Sequence, residues 1–167
     1  MIAITIDGGT RLQRRLVRQA TWFYVRRLIG ARESIGISIN ILLVPGMRRK
    51  ENTRADCMSI DPDDKECVPT EFEIRLDSTM NTVAILKALA HECVHLKQYF
   101  LEEMISRAGS EYVLFKGKLC RNSFRIEKYY DLPWEIEANG REHGLYARFC
   151  KSHGYEKARW NRDFDFL

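Results

Sequence analysis

Apolar and polar positions along the chain change their period several times, and each change marks an element. The opening MIAITI is apolar up to Asp7 and reads as a first strand; GGT then turns the chain and sets Thr10 as a helix N-cap. From Arg11 to Ile29 apolar residues recur at helical steps. Leu12, Leu16, Ala20, Phe23 and Tyr24 form an inward stripe, Arg11, Arg14, Arg15 and Arg18 share another face, and Gly30 ends the helix. Residues 36–44, GISINILLV, are short and β-branched, as a buried strand is, and Pro45 and Gly46 stop them. A charged loop, MRRKENTR, leads to a further strand at 55–61 and to the loop DPDDKECVP. Residues 71–77 then alternate strictly. Phe72, Ile74 and Leu76 face one side and Glu71, Glu73, Arg75 and Asp77 the other, which predicts a strand with one face buried and one wet.

The second half is more helical. Residues 79–100 read as a helix capped by Asp77, Ser78 or Thr79, and residues 112–126 alternate apolar and basic positions around Gly117 as a hairpin would. Residues 131–153 predict a last long helix, with Asp131 at its start, Pro133 in its first turn and Gly154 beyond its end. Gly140 and Gly144 inside it are expected to mark close packing. The tail, 155–167, either docks through Trp160, Phe164 and Phe166 or stays flexible. No repeat or linker divides these 167 residues, so the expectation is one α+β domain spanning 1–167.

Composition narrows the class. The hydrophobic share is 45% and the charged share 30%, as in soluble globular proteins. No apolar run approaches the roughly 20 residues that span a bilayer, so no membrane partner is expected. The N-terminus lacks a signal peptide's apolar core, and the expected location is cytoplasmic. Five cysteines, an odd count without a CxxC pair, argue for reduced thiols and against a disulfide framework or a zinc knuckle. The net charge is +4, yet residues 1–50 hold ten Lys/Arg against Asp7 and Glu33, a net of +8, leaving −4 for the other 117. Arg11, Arg14, Arg15 and Arg18 are therefore candidate anion-binding residues, with nucleic acid as a candidate partner. A solvated basic helix face is the plainer reading of the same residues.

The stretch KALAHECVHLKQYF holds two of the four histidines, His91 and His95, with Glu92 between them. Residues four apart on a helix lie one above the other, so both imidazoles can reach one ion. Zinc suits such ligands and keeps an open position when three protein groups bind it. Glu92 sits one residue round, where it can act as general base without being a ligand. The third ligand must come from elsewhere. Glu135, Glu137, Glu142, His143 and His153 are the candidates. Glu135 is preferred, because Ala138 and Asn139 share its face and leave room for an opposing helix. Asn139 could there accept a hydrogen bond from a ligand histidine. Glu137 lies ~200° round from Glu135 at about 100° per residue, so both cannot face one metal. Glu142 is the best alternative to Glu135. Candidate oxyanion or substrate residues are Tyr130, His143 and Tyr146, with Tyr129 and Arg141 beside them.

His91-Glu92-x-x-His95 followed by Glu135-Ile136-Glu137-Ala138-Asn139 resembles gluzincin-type metallopeptidases, and the ExEAN string resembles the ImmA/IrrE family and phage-type metallopeptidases. The likeness covers mainly 71–100 and 131–150. It implies a zincin-like fold: an N-terminal helix packed on a small mixed sheet, a motif helix, and a C-terminal helix bearing the third ligand. It also implies Glu135 as that ligand, one Zn2+ per chain, hydrolysis of peptide bonds, and a substrate strand lying along an edge strand, here 71–77. A phage-encoded chain of this kind would work in the host cytoplasm. SprT-like proteases are a weaker likeness, because they place a third histidine soon after the motif and none occurs here between His95 and His143.

Overall fold

Three apolar registers line up across the strands of the first half. β1 (Ala3–Gly8) pairs in parallel with β2 (Ser38–Val44), β2 pairs in parallel with β4 (Glu71–Asp77), and β3 (Ala55–Ser59) adds antiparallel to the far side of β4. The sheet order is therefore β1-β2-β4-β3. This computed structural model describes residues 2–60, 68–106, 111–122 and 126–161. Ile6, Ile41, Ile74 and Cys57 fall in one row, Leu43, Leu76 and Ala55 in the next, and Ile4, Ile39 and Phe72 in a third that ends at Ser59, so one sheet face is apolar except at Ser59. The opposite face carries Thr5, Asn40 and Glu73, and also Arg75 paired to Asp56, which is the wet face that the alternation predicted.

The apolar face is covered by α1 (Arg11–Leu28) and α3 (Thr82–Phe100), which pack on each other. Thr10 caps α1 in a reciprocal box: its hydroxyl accepts from the Gln13 N–H at 3.2 Å, and the Gln13 side chain accepts from the Thr10 N–H at 2.7 Å. Leu16, Ala20 and Tyr24 are buried as expected. Leu12 is 40% exposed, because the first turn of α1 overhangs the core. Arg14 donates to the carbonyls of Gly8 and Gly9 at 2.9 and 2.7 Å, and Arg18 donates to that of Ile4 at 2.7 Å.

Three expectations are corrected. Residues 71–77 form an interior strand, since β3 pairs along its outer side; an alternating pattern reports one buried face and is the same for edge and interior positions. The charged loop after Gly46 contains a short helix, α2 (Met47–Glu51), anchored by the buried Met47. Asn81, not a residue of 77–79, caps α3, accepting from the Ala84 N–H at 2.8 Å.

The chain then forms a second sheet, β5 (Met104–Ser106), β6 (Tyr112–Phe115) and β7 (Lys118–Arg121), in antiparallel order β5-β6-β7. Lys116 and Gly117 both have left-handed backbone, at φ 48° and 78°, as a two-residue hairpin turn requires. A short α4 (Ile126–Tyr129) precedes α5 (Pro133–His153), whose cap is Leu132 rather than Asp131 and whose end is Gly154 at φ 67°. Gly140 and Gly144 face open space, so no close approach explains them. Of the tail, Trp160 packs edge-on against Tyr155; Phe164 and Phe166 lie outside the described residues, as does most of the 61–69 loop. Cys57, Cys93, Cys120 and Cys150 are free thiols. Among the described residues no helix is long and apolar enough to cross a membrane.

Asp77, 1% exposed at the end of β4, joins the sheet to the turns around it. It accepts from the N–H groups of Gly46, Arg48 and Thr79 and from the Thr79 hydroxyl. Burial alone would raise its pKa, but these hydrogen bonds outweigh burial and hold the carboxyl at about 2. A folded-state pKa below the unfolded value gives stability that is present above about pH 4 and lost as pH falls through the folded value. Asp77→Asn should therefore cost about 1–3 kcal/mol near neutrality. In urea unfolding across pH, the gap between wild type and variant should close between about pH 4 and pH 2.

Candidate metal centre

Positions 91, 92, 95 and 98 lie along the part of α3 that faces α5, and burial there is deep. Glu92 is 6% exposed, His95 8% and Gln98 fully buried. α5 crosses α3 so that Glu135, 3% exposed and in its first turn, meets both imidazoles. His91 Nε2 and His95 Nε2 are 3.1 Å apart, with their rings edge-on. His91 Nε2 lies 3.3 Å from Glu135 Oε2, and His95 Nε2 lies 3.3 Å from Glu135 Oε1.

These separations suit a metal. Donors each about 2.1 Å from a tetrahedral ion stand roughly 3.4 Å from one another; the two Nε2 atoms lie 3.1 Å apart, each has a Glu135 oxygen at 3.3 Å, and one ligand atom from each of the three residues falls within 4.8 Å of the others. Glu135 Oε2 is moreover buried with no hydrogen-bond partner of acceptable geometry, an arrangement a protein interior rarely tolerates without a further ligand. His91, His95 and Glu135 can hold a metal ion. Burial would raise the Glu135 pKa, but the His91 and His95 imidazoles facing the carboxylate hold it at about 2. Burial would conversely lower that of His95, and Glu135 raises it. Glu92, beside the cluster, is pushed up to about 7 by burial, against the opposing charge of His95 and His91.

The cluster opens into a cavity of about 280 Å³. Thr53, Ala55, Asp56 and Cys57 bound it on the β3 side, and Tyr99, Met104, Val113 and Trp134 form an opposite wall. Tyr129 borders the cavity; burial, and the nearby Glu135 carboxylate, push its phenol well above the ordinary range.

The structure redistributes several predicted roles. Asn139 is exposed and donates to the Glu135 backbone carbonyl at 2.9 Å, within its own helix, so it does not orient a ligand histidine. That position is already taken: His95 Nδ1 contacts Gln98 Oε1 at 2.9 Å, and His91 Nδ1 faces Glu142 at 3.7 Å. Glu142 is thus beside a ligand rather than a ligand, and Glu137 points away into a cluster with Lys97, Lys116 and Arg141. Tyr130 is 62% exposed, Tyr146 is buried against Asn161, and half-buried His143 neighbours Glu142; none of them lines the cavity. His153 packs on Phe149 and Tyr155, remote from the centre. Arg11, Arg14, Arg15 and Arg18 are exposed on α1. Of the candidate oxyanion donors only Tyr129 borders the cavity, and Gln98 is the residue at the cluster that the sequence reading did not select. The signal for Gln98 was a polar residue three past His95 on a face otherwise buried.

No family model matches the chain, and neither a curated protein nor a solved structure matches it.

Elemental analysis of the purified protein should give about one metal ion per chain, as a single three-ligand centre would hold. Glu135→Ala should reduce that content strongly. Metal retained at wild-type level by a His91→Ala/His95→Ala double variant would refute the centre.

Proposed function

We propose that the chain is a zinc-dependent metallopeptidase, and the observation that carries this reading is the buried Glu135 carboxylate, one oxygen orphaned, closing the His91–His95 pair beside Glu92. A zinc ion held by these three groups would acidify a bound water and polarise a carbonyl oxygen. Glu92 is the general base. It takes the proton of the attacking water and passes it to the leaving amine, a task suited to a carboxyl whose pKa lies near neutrality. The Tyr129 hydroxyl, at the cavity border, donates to the oxygen on which charge develops. The substrate backbone adds as a strand to the outer side of β3 (55–59), which borders the cavity and is paired on one side only among the described residues. This replaces 71–77 as the substrate-binding edge.

Glu92→Gln should keep the metal and the fold while turnover falls by about 10²–10⁴-fold, scored by mass spectrometry on a mixed peptide library. Undiminished hydrolysis in that variant would overturn the assignment.

A second reading rests on α1. Arg11 and Arg15 are exposed and have no acidic partner among the described residues, and Trp22, 46% exposed, stacks under the Arg26 guanidinium at 4.1 Å. Such a face suits single-stranded nucleic acid. Binding of an oligothymidylate should weaken with salt, and the log–log slope should fall by roughly 0.7 per arginine removed in Arg11→Ala and Arg15→Ala. No binding at low salt would dismiss this reading.

A further inference from the structure

Arg15, Arg18, Gln19, Trp22 and Arg26 fall on successive turns of α1 and form one stripe along the helix. Where the stripe passes β1 the surface is hollowed into a cleft of about 320 Å³, lined by Ile2, Ile4, Arg18, Gln19, Trp22 and His153. It shares no lining residue with the cavity at the metal centre.

The side chains that could recognise a ligand there are held by their neighbours. His153, at the end of α5, stacks on Tyr155 with the rings 5.8 Å apart and 17° from parallel, and lies 4.5 Å from Phe149. The Tyr155 hydroxyl in turn hydrogen-bonds Gln19 at 2.9 Å. Arg18 is tied to the Ile4 carbonyl at 2.7 Å, and the Trp22 indole lies under the Arg26 guanidinium, 4.1 Å from its centroid. Walls fixed in this way lose little freedom when a ligand enters.

The chemistry of the lining narrows the ligand. Ile2 and Ile4 are apolar, Trp22 is 46% exposed one turn from Arg18, and none of the six residues is acidic. A guanidinium has five N–H donors and no acceptor, and the Ile4 carbonyl occupies only part of that capacity on Arg18. No carboxylate pairs with Arg15, Arg18 or Arg26 among the described residues. Cations without counter-charge beside an aromatic surface suit a ligand that joins a flat ring to a multiply charged anion. A phosphate carries close to two charges and accepts paired bonds from a guanidinium, where a carboxylate carries one. The volume lies at the lower end of the roughly 300–1,000 Å³ found for small-molecule sites, as one such unit requires.

We propose that this cleft binds a nucleoside phosphate, with its base against Trp22 and its phosphate on Arg18, in the positive potential of Arg15 and Arg26. The site is independent of the peptidase reading. It also goes beyond the single-strand reading of the same helix, since a strand needs only the exposed stripe and a nucleotide needs the recess.

Calorimetric titration of the full chain with adenosine monophosphate should show one saturable site. Adenosine and inorganic phosphate, each half of that ligand, should both bind about 10-fold more weakly or worse. Trp22→Ala should weaken the nucleotide by about 10-fold or more, as loss of a stacking surface does. Arg18→Gln should weaken it by about 10–100-fold, as loss of a charged hydrogen bond does. Adenosine alone, followed by chemical-shift perturbation, should lose affinity in Trp22→Ala and keep it in Arg18→Gln, a contrast that general damage to the fold would not produce. If Arg18→Gln does not fold, Trp22→Ala and the three-ligand comparison decide the matter. Absence of saturable nucleotide binding at millimolar concentration would overturn the proposal. So would phosphate or adenosine binding as tightly as the nucleotide, or affinity unchanged in both variants. An oligothymidylate that binds where the nucleotide does not would overturn the cleft and leave the single-strand reading standing. Displacement of bound nucleotide by the oligothymidylate would support the cleft with a strand as the source of its ligand, and binding that resists displacement would support it with a free nucleotide.

Discussion

Ionisable groups must be answered by partners when they leave water, and the crossing of α3 over α5 buries Glu92, His95, Lys97 and Glu135 together with the amide of Gln98. Most of that requirement is met across the crossing. Lys97 reaches Glu137 on α5 and Glu103 beyond its own helix, and Gln98 satisfies Trp134 and Glu137. What is left over lies in one place: an orphaned Glu135 oxygen and a Glu92 carboxyl whose ionisation burial opposes. The polar part of the interface thus separates into a satisfied half, which fixes how the helices cross, and an unsatisfied half, which is the group that could hold a metal ion.

The satisfied half also fastens the second sheet. Lys116 bridges from the hairpin turn to Glu137, while Met104, Val113 and Phe115 pack on Leu132 and Trp134. The apolar wall of the cavity and the helix that bears Glu135 are therefore held to each other by one cluster. A disturbance at the hairpin would reach His95 through two residues, Glu137 on α5 and Gln98 on α3.

Much of this was legible in the residues. The motif spacing placed His91, Glu92 and His95 on one stretch of helix, small Ala138 pointed to Glu135 over its rivals, and the Thr10 cap followed from local chemistry. What stayed hidden depends on how elements meet. Alternation at 71–77 could not say whether a neighbour lies on one side or both, and β3 supplied the second neighbour. Adjacent Tyr129 and Tyr130 have the same chemistry, and only the short helix before α5 turns the first to the cavity and the second to solvent. Asn139 had the right type and spacing, yet the imidazole nitrogens already faced Gln98 and Glu142. Periodicity assigns a residue to a face; which groups on the partner element lie opposite is a tertiary fact.

The hydrogen bonds from Arg14 and Arg18 to the carbonyls of Gly8, Gly9 and Ile4 bear on the other end of the sheet. β1 is a terminal strand, and unpaired backbone groups along such a strand are a template for any extended chain, including a second copy of this one. Guanidinium groups already occupy two of the β1 carbonyls, those of Ile4 and Gly8. Part of the positive charge concentrated in the first fifty residues is thus spent on the backbone of the sheet's border rather than left to solvent. Among the described residues the sheet has unlike borders: β1, with arginines on two of its carbonyls, and β3, paired on one side only and bordering the cavity that holds His95 and Glu135.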